Sequence, residues 1–329
     1  MVILQKLKKI DFFFVILDIS LSLYLNIKIY RSIKLMIRNI ELHKTSQLGM
    51  REANEDIEMR NMNLQSDGFS KDNLYGAVDF FTVCDGHGGV DVAEFVAPEL
   101  EKCFMKPNLR YPLSRNYINK QYDFIQKKLL QHPKKIAKNC GSTALVMVRY
   151  LDNNDKENIQ VINLGDCRAV LSRKGIAIAL SKDHKPIWPD EKKRIDYVNR
   201  KYNKNEQIYW DQGDWRIGDL SVSRSFGDLD NVPYVTHIPE FYNYHLQNDD
   251  EFIVLACDGL WDVMQNHEVI NFVRDHRHNN HIEYYNLLHK YPTSDIIATG
   301  NIARKLASYA LAKGSTDNIS ILIIFFLNE

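Results

Sequence analysis

Four apolar runs in this chain carry an aspartate at one end. FFTVCD runs into Asp85, VINLGD into Asp166 and VLACD into Asp258, while DNISILIIFF leads away from Asp317. A single aspartate in such a place is ordinarily a turn former or a helix cap. Four of them, each abutting sequence that is buried on folding, gather carboxylates at one edge of a core. There they repel and lose hydration unless cations lie between them. The chemistry on offer is therefore a metal cluster. Carboxylate oxygens suit hard divalent cations, and Mg2+ or Mn2+ takes few protein ligands while keeping several waters. Zinc would favour the thiols of Cys84 and Cys257, which immediately precede two of the acids. Side chains alternate along a strand, however, so both thiols are expected to face away from their aspartates and fill core positions.

The elements that must position these acids are legible as short apolar or β-branched runs bounded by Gly, Asp or Asn. VDFFTVC, TALVMVRY, IQVINLG, AVLSR, EFIVLAC and ISILIIFFL read as strands of a buried sheet. Between them, residues 92–104, 117–130, 191–198, 268–275 and 296–311 carry helical spacing. TALVMVRY and IQVINLG are separated by the polar, turn-rich LDNNDKEN, which predicts an antiparallel hairpin. The Asn-, Lys-, Tyr- and His-rich tracts 199–214 and 276–294 read as surface insertions.

Composition narrows the function classes. With 329 residues and 45% apolar content the chain can bury a substantial core. Lys plus Arg and Asp plus Glu both number 42, so no global field draws it to nucleic acid or an anionic membrane. Nor does it contain a basic tract interleaved with aromatics, which argues against a two-metal nuclease. Five cysteines, an odd number thinly spread, point to a reducing compartment and a cytoplasmic location. The first forty residues differ from the rest. Phe12 to Ile27 is nearly all apolar and flanked by lysines and Arg31, but Asp18 and Asn26 interrupt it. A span needs about 20 apolar residues, and from Leu21 to Ile29 the apolar positions alternate as in a strand. A membrane anchor through residues 10–30, an extra strand and an extended tail all stay open. The domain reading is an extension over residues 1–40 followed by a catalytic domain over 41–329.

Upstream, GMREANEDI places Arg51 before the acidic pair Glu55 and Asp56, by itself an ordinary charged surface stretch. Joined to the other segments it completes a pattern. REANED, FTVCDGHGG, CGSTALV, NLGDCRAVL, LSKDHKP followed by PDEKKRI, LSVSRSFGD, FIVLACDGLWDV and GSTDNIS occur in this order between Arg51 and Ser320. The chain thereby resembles the type 2C, or PPM, family of metal-dependent serine/threonine protein phosphatases. The resemblance implies an α+β fold, a β-sandwich of two antiparallel sheets flanked by helices, with the metal site at one end.

It also implies roles, residue by residue. Asp85 would bridge two cations, Mg2+ or Mn2+, with the main-chain carbonyl of Gly86 completing one shell. Asp258 and Asp317 would bind the other cation, Glu55 and Asp56 would act through water, and Asp166 would serve a weaker third metal. Asp262 would support the shell, and Asp183, His184 and Lys185 would form a structural turn without chemistry. Arg51 would hold the substrate phosphate. His87 would protonate the leaving serine or threonine oxygen while a water bridging the cations attacks in line. Substrates would be phosphoproteins, and the catalytic domain monomeric. The competing reading is an inactive phosphoprotein-binding scaffold, which would be expected to lack one or more of Asp85, Asp258 and Asp317. One departure is local: WRIGDLSVSRSFGD sets Arg216 one position closer to Gly218 than is common in the family and lacks its asparagine.

Overall fold

The computed structural model describes residues 38–62, 78–106, 109–152, 154, 156–211, 213–288 and 300–327. The expected extension therefore lies almost wholly outside the described residues. Two five-stranded antiparallel sheets form the centre. The first runs in the order β1 (Asn39–Gln47), β15 (Ile319–Leu327), β14 (Asp250–Ala256), β8 (Arg168–Arg173) and β9 (Ile176–Ala179). The second runs β13 (Glu240–His245), β7 (Glu157–Leu164), β6 (Ala144–Leu151), β3 (Val78–Cys84) and β2 (Ile57–Met62). The expected hairpin is present as β6 and β7, paired from Ala144–Leu164 to Leu151–Glu157.

Alternation explains why these strands read as unbroken apolar runs. Phe81 and Val83 of β3, Leu145 and Met147 of β6, Ile253 and Leu255 of β14, and Leu322 and Ile324 of β15 meet between the sheets. The intervening residues point outward under helices. Phe80, Val146 and Val148 pack beneath α1 (Asp91–Phe104) and α2 (Arg115–Leu130). On the other face Val254, Ile321 and Ile323 meet helices farther along the chain. Both faces of the central strands are thus dry, and a strand buried on two sides needs apolar residues at nearly every position.

The remaining elements extend this plan. α3 (Pro189–Tyr202) leads to a separate hairpin of β10 (Ile208–Asp211) and β11 (Asp214–Ile217), so the tract 199–214 is ordered in part as strands. A single turn, α4 (Asp258–Trp261), follows β14, and α5 (Asn266–Leu288) and α6 (Ile302–Ala312) cover the first sheet. α5 continues through residues read from sequence as an insertion, because no Gly or Pro interrupts the chain there. Ser114 caps α2 by accepting from Tyr117 N, and Asn301 caps α6 by accepting from Arg304 N. Three two-residue strands, β4 (Gly86–His87), β5 (Gly141–Ser142) and β12 (Phe226–Gly227), make a small sheet with β5 in the middle. Among the described residues no helix is long and apolar enough to cross a membrane. Residues 10–30 lie outside them.

At one end of the sandwich a buried ionic cluster ties the chain together. Arg149, fully buried, lies 3.3 Å from Asp79 and 3.0 Å from Glu157. It also donates to the carbonyl of Arg38, whose own guanidinium donates to Glu157 at 2.8 Å. Removing one partner of such a cluster strands a charge in a dry interior, at about 3–5 kcal/mol. Asp79→Ala is therefore expected to lower the unfolding free energy by about that amount in urea titrations. A change below about 1 kcal/mol would mean that Glu157 alone balances Arg149.

Candidate active site

Antiparallel register brings the acid-bearing strand ends to the other end of the sandwich. Ile57, the first residue of β2, pairs with Cys84, the last of β3; Val83 pairs with Leu145 near the start of β6, and Ala144 with Leu164 at the end of β7. In the facing sheet Ala256, the end of β14, pairs with Ile321 near the start of β15. Asp56, Asp85, Asp166, Asp258 and Asp317 therefore emerge at the same end. A cavity of about 540 Å³ opens there. Arg51, Glu55, Asp85, Gly86, His87, Asp166, Asp258 and Asp317 line it, and Asp56, 6% exposed, is buried beside Asp85. The structure thus brings the residues singled out in the sequence together around one cavity.

Several of the motif residues act by fixing backbone. Asp85 N donates to Thr143 Oγ1 at 3.0 Å, and Thr143 N donates to the Asp85 carbonyl at 2.8 Å, so the CGSTALV segment grips the strand end. Asn318 does the same for the REANED loop: its Oδ1 accepts from Glu55 N, and its Nδ2 donates to the carbonyls of Leu48 and Ala53. Gly86 approaches this loop so closely that a Cβ would lie 2.5 Å from the Glu55 carbonyl oxygen, hence a glycine. His184 accepts from Gly165 N at 3.1 Å and holds the turn that carries Asp166. Asp183 pairs with Arg168. Both side chains thus hold their own turn and its neighbour.

Lys185 meets the acids instead. Its ammonium lies 2.6 Å from Asp166, 3.0 Å from Asp214 and 3.8 Å from Asp258. Burial would lower its pKa, but Asp166, Asp258 and Asp262 outweigh that and raise it far above the usual value, so it is a fixed cation. Arg51 supplies another, 2.7 Å from Asp317 and more than half exposed. Neither contact was legible in sequence.

Both thiols are buried core residues, and one of them also comes close to the acids. Cys84 is a core residue, but Cys257 Sγ lies among the carboxylate oxygens of Asp56 and Asp85, all within 4.8 Å. The strand ends at Ala256 and α4 begins at Asp258, so alternation does not run through this position. Burial, then the nearby Asp56 and Asp85, push the Cys257 thiol well above its ordinary pKa. Its sulfur donates to the Asn318 carbonyl and accepts from Ser320 N.

The donor set fits hard cations. Asp56 Oδ2 is buried without a hydrogen-bond partner, an expensive state that a cation would relieve. Burial is the largest cause raising Asp85 and Asp258, with Asp56 next for Asp85 and Asp166 next for Asp258. His87 shows the opposite balance: burial would lower it, but the hydrogen bond with Asp228 and the charges of Asp228, Asp166 and Glu55 raise it.

Comparison with known proteins agrees with this geometry. The sequence profile of the family described as Protein phosphatase 2C matches residues 46–319. A PP2C-like domain-containing protein of Acanthamoeba polyphaga mimivirus is 66% identical over 179 residues, 54% of this chain and 100% of that protein. A probable protein phosphatase 2C of Oryza sativa subsp. japonica is 34% identical over 252 residues, 76% of this chain and 58% of the rice protein. This chain thus spans less than two thirds of that relative's length. Among solved structures, a phosphatase from a pathogenic strain of Toxoplasma gondii gives a TM-score of 0.66 at 19% identity, covering 89% of this chain and 94% of its own. A C. elegans sex determining protein gives 0.69 at 22% identity, covering 87% of this chain and 65% of its own. The chain belongs to the protein phosphatase 2C family, and its fold is that family's antiparallel sandwich flanked by helices.

The acid cluster sets a pH dependence in chelator. Burial, with smaller repulsion from Asp317 and Glu58, pushes Asp56 from 3.8 up to about 6 against the hydrogen bonds of Ser320 and Cys257. A carboxyl raised on folding favours the fold when protonated. Its stabilisation is full below pH 3.8 and is lost as pH rises through about 6. Glu191, whose burial is outweighed by Arg224, is held down to about 2 and acts in the opposite sense only below its ordinary value of 4.5. In EDTA the melting temperature should fall as pH rises from about 4 to 6, and saturating Mn2+ should remove that fall. An identical profile with and without Mn2+ would count against cation binding by these acids.

Proposed function

We propose that this chain hydrolyses phosphoserine and phosphothreonine in proteins with the help of divalent cations. The observation that carries the reading is the convergence of Asp85, Asp166, Asp258 and Asp317 with Arg51 and His87 on one open cavity, with Asp56 buried beside Asp85, in a phosphatase 2C chain. Asp85 would serve both of two cation sites, with the Gly86 carbonyl at one and Asp258 and Asp317 at the other, Glu55 and Asp56 would act through water, and Asp166 would serve a weaker third. An all-oxygen donor set favours Mg2+ or Mn2+. Bound there, these ions supply Lewis acidity, lowering the pKa of water for in-line attack and offsetting charge on the phosphoryl group.

The chain's own side chains do the rest. The planar guanidinium of Arg51 can grip two phosphate oxygens at once. It rests now on Asp317 at the exposed lip of the cavity, so it can move to a substrate without leaving a buried carboxylate unpaired. His87, on β4 next to Gly86, faces the same space and gives its proton to the departing serine or threonine oxygen. A scaffold that merely binds phosphoproteins would not need the whole set of acids, and every one is present. The catalytic domain is read as residues 41–329 acting as a monomer on phosphoproteins. The contacts of Arg38 with Glu157 and Arg149 support a beginning at or just before β1.

Phosphate release from a phosphothreonine peptide should vanish in EDTA, return with Mn2+ or Mg2+, and be nearly abolished in Asp85→Asn. Activity that survives exhaustive chelation would sink the reading. Arg51→Ala should raise KM at least about tenfold, since a charge-assisted contact is worth about 1.5–3 kcal/mol. An unchanged KM would return Arg51 to the status of a surface charge. His87→Ala should cost about 10²- to 10⁴-fold in kcat on the peptide. On p-nitrophenyl phosphate, whose leaving group departs readily as an anion, the loss should be much smaller. Equal losses would remove His87 as the acid.

A further inference from the structure

His87 has a partner that the strand-end pattern does not reveal. Its Nε2 lies 2.8 Å from Oδ2 of Asp228, a residue 141 positions away in sequence. The small sheet makes the meeting possible, because β5 pairs with β4 through Gly86–Ser142 and His87–Gly141, and with β12 through Phe226–Ser142 and Gly227–Gly141. Gly141 lies under both side chains. A Cβ there would come within 2.1 Å of Asp228 Oδ2 and 2.5 Å of His87 Nε2, so the pair occupies the space a larger residue would fill.

The ordinary explanation of an aspartate after a glycine is a turn or a cap. Asp228 precedes the short 3-10 turn Leu229–Asn231, yet its side chain makes no capping hydrogen bond. Its backbone is left-handed at φ 45°, an unfavourable conformation for a residue with a Cβ and one that clusters at functional sites. The carboxylate is only 2% exposed and is held from its other side by the hydroxyl of Ser225, which donates to the same Oδ2. A carboxylate buried and braced in this way, at the cost of backbone strain, is aimed at the imidazole.

We propose that Asp228 is the positioning residue for His87, fixing the ring and its tautomer through Nε2–H so that Nδ1 is the nitrogen that gives up the proton. This rests on the reading of His87 as the general acid. As the bond from phosphorus to the serine or threonine oxygen breaks, the proton moves from Nδ1 to that oxygen. The ring is left neutral, its Nε2–H still donating to the Asp228 carboxylate, and solvent reprotonates Nδ1. Carboxylate–imidazole pairs act in this way in acyl transfer, where losing the carboxylate's charge costs far more than its bulk suggests.

The test compares wild type, Asp228→Asn, Ser225→Ala, His87→Ala and the double variant His87→Ala/Asp228→Asn at saturating Mn2+. Each is assayed on a phosphothreonine peptide and on p-nitrophenyl phosphate, with Mn2+ binding followed by calorimetry. Asp228→Asn is expected to lower kcat on the peptide by about 10- to 100-fold, leaving KM, Mn2+ affinity and the p-nitrophenyl phosphate rate within about threefold. The double variant should fall no further than His87→Ala alone, because one residue acts through the other. Ser225→Ala should show a smaller loss of the same selective kind, and it decides the matter where Asp228→Asn fails to fold. If His87→Ala is selective for the poor leaving group and Asp228→Asn or Ser225→Ala is not, the positioning role is overturned and the acid stands. If His87→Ala is itself unselective, the acid assignment fails first and the role of Asp228 with it.

Discussion

Carboxylates gathered at one end of a β-sandwich repel one another, and the surrounding structure is arranged to offset that repulsion. Two unit charges 4 Å apart interact by about 4 kcal/mol at an effective dielectric of about 20, so a cluster of ionised aspartates is a large local cost. Part of it is met within the chain. Lys185 is drawn between Asp166 and Asp258, and Arg51 lies on Asp317. Neither side chain reaches the buried Asp56 Oδ2, which keeps an unpartnered oxygen. The tethered cations therefore cover the flanks of the cluster and leave its centre to ions from solution. Without those ions a phosphate dianion would meet a cavity of its own sign, and with them the same cavity attracts it.

The tether has a geometric consequence. Lys185 also contacts Asp214, the first residue of β11, at 3.0 Å. One ammonium thus links the acid cluster to the β10–β11 hairpin, whose Arg216 reaches into the cavity. Filling of the Asp166 and Asp258 side by a cation and placement of this hairpin draw on the same charge. The shortened spacing before Gly218 falls in this hairpin, away from the aspartates themselves.

How much of this was legible in sequence follows from where each interaction is encoded. The strand-end aspartates stand out because strands covered on both faces are apolar throughout, so an acid at their boundary is conspicuous. The edge strands did not stand out. β1, NIELHKTSQ, turns Ile40 and Leu42 towards the sandwich interior but leaves polar residues between them, and β13, EFYNYH, is half exposed along its length. Thr143 and Asn318 sat inside recognised segments, yet their work is to bind the backbone of distant loops, which no local periodicity records. Lys185 and Asp228 were hidden for the same reason. Each acquires its meaning from partners that only strand pairing and turn geometry bring together.

The two ends of the sandwich show why a metal site forms at one and not the other. Asp79 and Asp85 lie on the same stretch of chain, six residues and about 20 Å apart along the extended backbone. Asp79 meets Arg149, which is shared with Glu157, and Arg38 closes the cluster, so acids and guanidinium groups there are equal in number. Such a cluster holds the fold together and has no remaining charge to offer a ligand. Asp85 meets Asp56, with Asp166, Asp258 and Asp317 close enough to raise it further, and two tethered cations for the whole group. Burial is the same hazard at both ends. What differs is whether the chain carries the compensating charge itself, and at the end where it does not, the uncompensated charge is left for cations from solution.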